Sequence, residues 1–138
     1  MKAELKVTAI GLAIFAIYLP VALWIGLGFS PAPRPPGAVV EPLLLPISNS
    51  QLSYRAQSFA LWKYADASED NMKSPVMLYE DLTPLGPAKS YMRDIYDLGA
   101  GRFNFTKFSN DPRSFVVFSA SDNSDPRTNG RRYWLVLP

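Results

Sequence analysis

The sequence predicts one N-terminal transmembrane helix followed by a small mainly-β domain, either an antiparallel sandwich or a barrel-like sheet. The first observation behind this prediction is an apolar run over residues 7–29, VTAIGLAIFAIYLPVALWIGLGF, with no charge between Lys6 and Arg34. The second is a series of short runs after residue 46 that are rich in aromatic and β-branched residues and are separated by turn residues. This alternation of short runs and turns is typical of an all-β domain.

The apolar run has the length of a membrane-spanning helix. At about 1.5 Å per residue it extends for about 34 Å, which exceeds a hydrocarbon core of about 30 Å. The run is too long for a cleaved signal peptide, and residues 30–33 (SPAP) are a poor cleavage site, so we expect a signal anchor. Lys2 and Lys6 favour a cytoplasmic tail over residues 1–6. The predicted location is a bacterial inner membrane, with the C-terminal domain in the periplasm.

Small residues within the span indicate a possible packing face for a second helix. Ala9 and Ala13, like Ala22 and Gly26, are separated by three residues, a spacing that lets helices approach closely. Pro20 removes a backbone donor, so we expect a kink there. The pattern is consistent with a membrane protein partner, although Ala and Gly are also common in membrane helices by chance.

Residues 30–46, SPAPRPPGAVVEPLLLP, predict an extended Pro-rich linker. Six prolines in these seventeen positions exclude a helix and favour polyproline II. Residues 39–40 and 43–45 are too apolar for a free linker. We therefore expect them to lie along a surface, either of this domain or of a partner.

Residues 47–138 form the predicted β-rich domain. Its candidate strands are residues 59–64, 76–80, 103–108, 115–121 and 132–137. Apolar residues at helical spacing over 91–98 predict one short helix, with Ser90 as its N-cap and Gly99 after its end. A loop over residues 122–130, rich in Asp and Asn and ending in Asn-Gly, predicts that the last two strands form a hairpin.

Composition excludes several classes of function. The 138 residues contain no His and no Cys, so a Ser-His-Asp triad, a Cys-His dyad, a zinc finger and a disulfide are all excluded. The net charge of +2, from 14 basic and 12 acidic residues, is too small to indicate a nucleic-acid partner. We expect no cofactor and no metal.

The loop of the predicted hairpin is the candidate binding site. Its candidate contact residues are Asp122, Asn123, Asp125, Arg127, Asn129 and Arg131. Three interpretations are open: a loop whose polar side chains hold one another, a sugar- or anion-binding edge beside nearby aromatic residues, and a Ca²⁺ site. The spacing does not match an EF-hand loop, because Pro126 stands where a ligand is needed.

Two carboxylate pairs, Glu69 with Asp70 and Glu80 with Asp81, raise the alternative of a carbohydrate-active enzyme. Adjacent residues on a strand point to opposite faces, so neither pair alone makes a catalytic dyad. We expect these carboxylates to be solvated turn residues.

The C-terminal half also resembles a recurring bacterial module. The resemblance covers about residues 75–138 and depends mainly on the run F-S-x-S-D-N-S-D-P-x-x-N-G-R-x-Y, which begins at Phe118 and ends at Tyr133. That module is often appended to methyltransferase-like or glycosyltransferase-like proteins linked to surface polysaccharides. It usually has a Ser-His-Trp-like element where this chain has residues 104–106 (NFT). The resemblance implies a small accessory β module related to glycans, with no established catalytic residues.

Together these observations predict a non-catalytic, single-pass accessory or binding protein linked to envelope glycan. The expected partners are the lipid bilayer, a membrane protein and a glycan, with no nucleic acid. One alternative is an accessory subunit whose helix and linker pack against a larger membrane complex. A second alternative is a carbohydrate-active enzyme that uses carboxylates.

Overall fold

The computed structural model describes residues 2–28, 31, 33–107 and 113–138; within the first helix it describes the side chains of residue 12 and residues 14–28. The chain divides into two compact units, Met1–Ala32 and Pro33–Pro138. The first unit contains helix α1 (Lys2–Gly28), which includes Pro20.

The membrane-spanning part of the fold prediction is contradicted. Crossing a bilayer requires about 20 consecutive apolar residues in one helix. Helix α1 has 27 residues, and its side chains are described at residue 12 and residues 14–28. Among the described residues, no helix combines the length and the apolar character needed to cross a membrane. This finding corrects the transmembrane helix and signal anchor predicted over residues 7–29, and with them the inner-membrane location of a single-pass protein with a periplasmic domain.

The mainly-β part of the prediction is confirmed. In the described part of the second unit, two four-stranded antiparallel sheets have the orders β1-β8-β4-β5 (sheet A) and β2-β3-β7-β6 (sheet B). The strands are β1 (Val39–Pro42), β2 (Ile47–Ser48), β3 (Tyr54–Ser58), β4 (Met77–Glu80), β5 (Thr83–Pro84), β6 (Phe103–Lys107), β7 (Ser114–Phe118) and β8 (Tyr133–Leu137).

The core contains residues of both sheets. Alternate residues of each strand point the same way, so β3, β6 and β7 contribute one set of apolar side chains and β4 and β8 another. The ring of Phe118 in sheet B lies 5.1 Å from the ring of Tyr133 in sheet A and 6.5 Å from that of Tyr54, measured between centroids. Two sheets that share one core are compatible with the predicted sandwich.

Part of the predicted Pro-rich linker is a strand of the domain. Strand β1 pairs with β8, and Val39 lies opposite Leu137. Its Glu41 is buried and accepts hydrogen bonds from the Ser58 hydroxyl (2.6 Å) and from the backbone N–H of Phe59 (2.6 Å). A strand ending in proline is tolerated here because β1 is at the edge of sheet A, where one side of the backbone needs no partner.

Two local predictions are wrong, because contacts between distant residues decide where a strand ends and which sheet it joins. Residues 59–64 were predicted as a strand, but the strand precedes them as β3, and Trp62–Tyr64 form a 3₁₀ turn. The predicted C-terminal hairpin is absent, because β7 lies in sheet B and β8 in sheet A. The other predicted strands correspond to β4, β6, β7 and β8, apart from their ends.

The predicted short helix is present as α2 (Met92–Asp97). Its N-cap residue is Tyr91 rather than Ser90, whose hydroxyl instead donates to the carbonyl of Pro87 at 2.7 Å. Gly99 follows the helix end with a φ of 58°, the left-handed conformation that glycine favours after a helix.

Candidate functional site

The candidate polar residues lie on the crossover loop, residues 119–132, which connects β7 of sheet B with β8 of sheet A. Backbone hydrogen bonds shape both halves of this loop. The N–H of Asn123 donates to the carbonyl of Ala120 at 3.1 Å. The carbonyl of Asp125 accepts from the N–H groups of Thr128 (3.0 Å) and Asn129 (2.9 Å). The loop is therefore two successive turns.

A carboxylate outside the loop holds the two ends of the loop together. Glu80, the last residue of β4, is buried. Its carboxylate accepts hydrogen bonds from the Ser121 hydroxyl, from Arg131 Nη1 at 3.1 Å and from the Tyr133 hydroxyl at 2.7 Å. One side chain of sheet A thereby connects residues before and after the turns.

The electrostatics of Glu80 favour the charged form. Burial alone would raise the pKa of the Glu80 carboxyl, but the hydrogen bonds from Ser121, Tyr133 and Arg131 together lower it below its ordinary value of 4.5. Burial of the Tyr133 hydroxyl, together with its hydrogen bond to Glu80, raises the pKa of Tyr133. Glu80 is therefore a charged acceptor and Tyr133 a neutral donor at neutral pH.

Arg131 bridges two carboxylates. Its Nη1 contacts Glu80, and its Nη2 donates to Asp122 Oδ2 at 2.6 Å. The other oxygen of Asp122 accepts from the hydroxyl (2.6 Å) and the N–H (3.1 Å) of Ser124. Hydrogen bonds donated by Arg131 and Ser124 lower the pKa of Asp122, and the bond that Arg131 donates to Asp122 raises the pKa of Arg131.

Asp125 and Arg127 form a second ion pair within the loop. The Arg127 guanidinium donates to both carboxylate oxygens, with distances of 2.6 Å from Nη2 and 2.9 Å from Nε. This hydrogen bonding lowers the pKa of Asp125. The guanidinium carbon also lies 5.4 Å from the centroid of the Tyr54 ring. The pair therefore attaches the second turn to strand β3.

The two asparagines have structural partners as well. Asn123 has a φ of 62°, and its Oδ1 accepts from the N–H of Ala100 at 2.6 Å. Asn129 Nδ2 donates to the Tyr133 hydroxyl (2.8 Å) and to Ser124 Oγ (3.0 Å). Its Oδ1 accepts from the N–H of Arg131 at 3.0 Å.

The structure thus brings the six predicted contact residues together on one loop, where each of them bonds either another residue of the loop or a neighbouring part of the domain. Their aromatic neighbours Tyr133 and Trp134 are 5% and 7% exposed, so each ring offers little surface on which a sugar could stack. The residue missed by sequence reasoning is Glu80, which lies 41 residues from Ser121 and 51 from Arg131. A separation of that size leaves no local pattern to detect.

The residues predicted to pack a second helix lie on α1. Pro20, Ala22 and Gly26 are within the described helix, and a Cβ at Gly26 would meet nothing within 4 Å. The side chains of Ala9 and Ala13 lie outside the described residues.

One residue of each predicted carboxylate pair accepts a backbone hydrogen bond from a distant part of the domain. Glu69 accepts from the N–H of Met92 at 2.8 Å, next to the start of α2. Asp81 has a φ of 54° in the turn after β4 and accepts from the N–H of Arg132 at 2.9 Å. In the described part of the chain, no group of three or more carboxylates is placed to hold a metal ion.

A second candidate surface, which is exposed and apolar, lies elsewhere on the second unit. We define the outer apolar face by its large exposed side chains, which are Leu44, Leu45, Ile47, Phe59 and Trp62. Leu44, Leu45, Ile47 and Phe59 line a groove of about 480 Å³ with Gln57; Phe59 and Trp62 line a second groove of about 300 Å³, also with Gln57. The apolar character of residues 43–45 indicated part of this surface, whereas residues 59–64 were assigned to a strand.

Comparisons with protein-family models, with curated proteins and with solved structures gave no match.

Proposed function

We propose that the second unit, Pro33–Pro138, is a non-catalytic binding module whose partner is another protein, and that the outer apolar face is the contact surface. The observation that carries this proposal is the exposure of Phe59 (69%) and Trp62 (53%) beside the leucines of residues 44–45. Contiguous apolar patches of this kind on a small domain are typical of protein interaction sites.

The fold does not require these side chains. The backbone of Phe59 is held by Glu41 through its N–H, so the ring itself is free to project outward. The ring of Trp62 projects from a 3₁₀ turn and is likewise outside the core cluster. Burial of one such ring in an interface contributes about 1.5–3 kcal/mol, and aromatic residues are the usual energetic centres of interfaces.

The crossover loop is the weaker candidate for binding. A sugar would need the free donors and acceptors of its six candidate residues, but these groups already bond one another, Glu80 or the backbone. A ligand would have to replace short, charge-assisted bonds such as that between Arg131 and Asp122 at 2.6 Å. The proposal therefore retains the expected accessory role of the protein and moves the contact surface from the polar loop to the outer apolar face.

Site-specific photo-crosslinking tests this assignment. A benzoylphenylalanine is placed in the full chain at Phe59, and at Tyr91 as a control, which is also an exposed aromatic residue (54%). We expect a protein crosslinked from position 59 and not from position 91 in cells of the source organism. The captured protein is then purified and titrated with the full chain.

The decisive measurement is the affinity of that purified protein for two variants. Phe59→Ser and Trp62→Ser should each weaken binding by about tenfold or more, with the unfolding midpoint unchanged. The control Arg93→Gln, at an arginine exposed on α2, should not alter affinity. Equal binding by all three variants, or equal crosslinking from both positions, would exclude the outer apolar face as the contact surface.

A further inference from the structure

The edge of sheet B is open next to the outer apolar face. Strand β2 pairs with only the first two residues of β3, through Ile47 with Arg55 and Ser48 with Tyr54. Continued in this register, Pro46 would lie opposite Ala56 and Leu45 opposite Gln57. Leu45 has a φ of 48° and is followed by Pro46, which has no N–H to donate. Strand β2 therefore ends before Gln57.

The backbone groups of Gln57 face this open edge. On the β2 side, the carbonyl of Ser53 accepts from the N–H of Asn49 at 2.9 Å. Backbone groups of a strand alternate between its two neighbours, so Arg55 and Gln57 face the same side as Ser53. Arg55 has Ile47 opposite it in β2, whereas Gln57 has a partner only in β7, where it lies opposite Phe115. On the β2 side, the N–H and C=O of Gln57 have no backbone partner among the described residues. The backbone donor and acceptor of Gln57 are therefore available to an added strand.

The positively charged side chain of Arg55 lies next to the open edge at Gln57. The guanidinium carbon of Arg55 is 5.1 Å from the centroid of the Phe115 ring, on the floor of the 480 Å³ groove. No carboxylate among the described residues forms an ion pair with Arg55. An arginine partly surrounded by apolar groups is a strong site for a carboxylate.

We propose that the partner inserts an extended segment at this edge, pairs its backbone with Gln57, places apolar side chains against Leu45 and Phe59, and places a carboxylate on Arg55. This inference rests on the proposed function and adds the form and the charge of the bound segment. The carboxylate comes either from an acidic side chain or from the C-terminus of the segment, since both present the same group.

Selection of peptides from a displayed library of random heptapeptides on the full chain tests the proposal. We expect the enriched peptides to alternate apolar residues and to contain one acidic residue or a free C-terminus. Arg55→Gln should weaken their binding by at least about tenfold, and Arg93→Gln should leave it unchanged. Amidation of the C-terminus abolishes binding only if the terminal carboxylate is the group that contacts Arg55.

Backbone pairing is tested from both sides. Gln57→Pro removes the N–H that faces the open edge without removing a bond to β7, and N-methylation of single peptide amides removes the complementary donor. Each should weaken binding by about tenfold. N-methylation changes only the peptide, so it still tests backbone pairing with Gln57 if the Gln57→Pro variant is unstable.

The two proposals can fail separately. If the crosslinked protein loses affinity for Phe59→Ser but binds Arg55→Gln and Gln57→Pro normally, the outer apolar face binds protein and the inserted segment is refuted. If library selection enriches no sequence, or if the enriched peptides bind Arg55→Gln as tightly as the unmodified chain, the inserted segment is also refuted. Normal affinity for both Phe59→Ser and Trp62→Ser refutes both proposals.

Discussion

Replacement of Glu80 by alanine should destabilise the second unit more than any substitution on the crossover loop itself. The change removes an acceptor from three side chains at once: Ser121, Arg131 and Tyr133. The Tyr133 hydroxyl is the costliest loss, because it is buried and would keep its proton without an acceptor. An orphaned buried donor costs about 1–3 kcal/mol, and the lost side-chain packing adds about 1 kcal/mol. The side chain of Arg131 is 32% exposed and keeps its ion pair with Asp122, so the loss of its ion pair with Glu80 costs little stability.

We expect Glu80→Ala to lower the free energy of unfolding by about 2–4 kcal/mol in total.

The isosteric variant Glu80→Gln removes the negative charge but keeps the shape of the side chain. Glu80→Gln keeps an oxygen that can accept from Tyr133, and Ser121 can reverse its hydroxyl to accept from the new amide. We therefore expect a smaller loss of about 1–2 kcal/mol. Tyr133→Phe removes the same hydrogen bond from the other side, so the double variant with Glu80→Ala should show a coupling energy of about 1 kcal/mol or more.

Urea denaturation of the full chain, followed by circular dichroism, measures these free energies of unfolding. Asp70→Ala is the control, because Asp70 is an exposed carboxylate in the turn before β4, and it should change stability by less than about 0.5 kcal/mol. If Glu80→Ala unfolds within 1 kcal/mol of the unmodified chain, or if the coupling with Tyr133 is near zero, Glu80 does not hold the loop as argued.

Three further predictions concern stability. Because the pKa of Glu80 is lower in the folded state, its contribution is present above about pH 4.5 and is lost as the pH falls; urea titrations between about pH 6 and pH 3 should show a weaker pH dependence for Glu80→Gln. Gly99→Ala should cost about 2–3 kcal/mol, because its φ is 58° and the new Cβ would lie 2.1 Å from Asn123 Oδ1; Gly130→Ala, with a φ of 75° and open space, should cost only about 1 kcal/mol, and equal losses would exclude the contact as the cause. Gly37→Ala would place a Cβ 2.3 Å from a buried valine side chain of β8 and should lower the melting temperature; an unchanged value would show that residues before β1 do not pack on sheet A.

The sequence was sufficient for four of the eight described strands and for the short helix α2. Apolar runs rich in aromatic and β-branched residues predicted β4, β6, β7 and β8, because each of these strands has a side buried in the core. Gly99 was recognised as a residue that follows a helix, since the left-handed conformation is a local property of glycine. The residues of the crossover loop were recognised as a cluster because they are neighbours in the chain.

Contacts between distant residues could not be predicted in the same way. Whether β7 and β8 form a hairpin or belong to two sheets depends on their other neighbours, β3 and β4, and not on the loop between them. The buried carboxylates Glu41 and Glu80 both act on residues at least 17 positions away. A glutamate in an apolar run carries no sign of such a partner, so one was assigned to a linker and the other to a solvated turn.

The distinctive run from Phe118 to Tyr133 is explained by the structure without a ligand. The serine and asparagine side chains complete turns, the aspartates pair with arginines of the same loop, and the tyrosine reaches a buried glutamate of the neighbouring strand. Such a run satisfies many polar groups where the chain passes from one sheet to the other. A motif that is specific because it builds the fold says little about what the domain binds. Side chains that the fold does not use, such as Phe59, Trp62 and Arg55, are therefore the better guide to the partner, although no sequence pattern marks them.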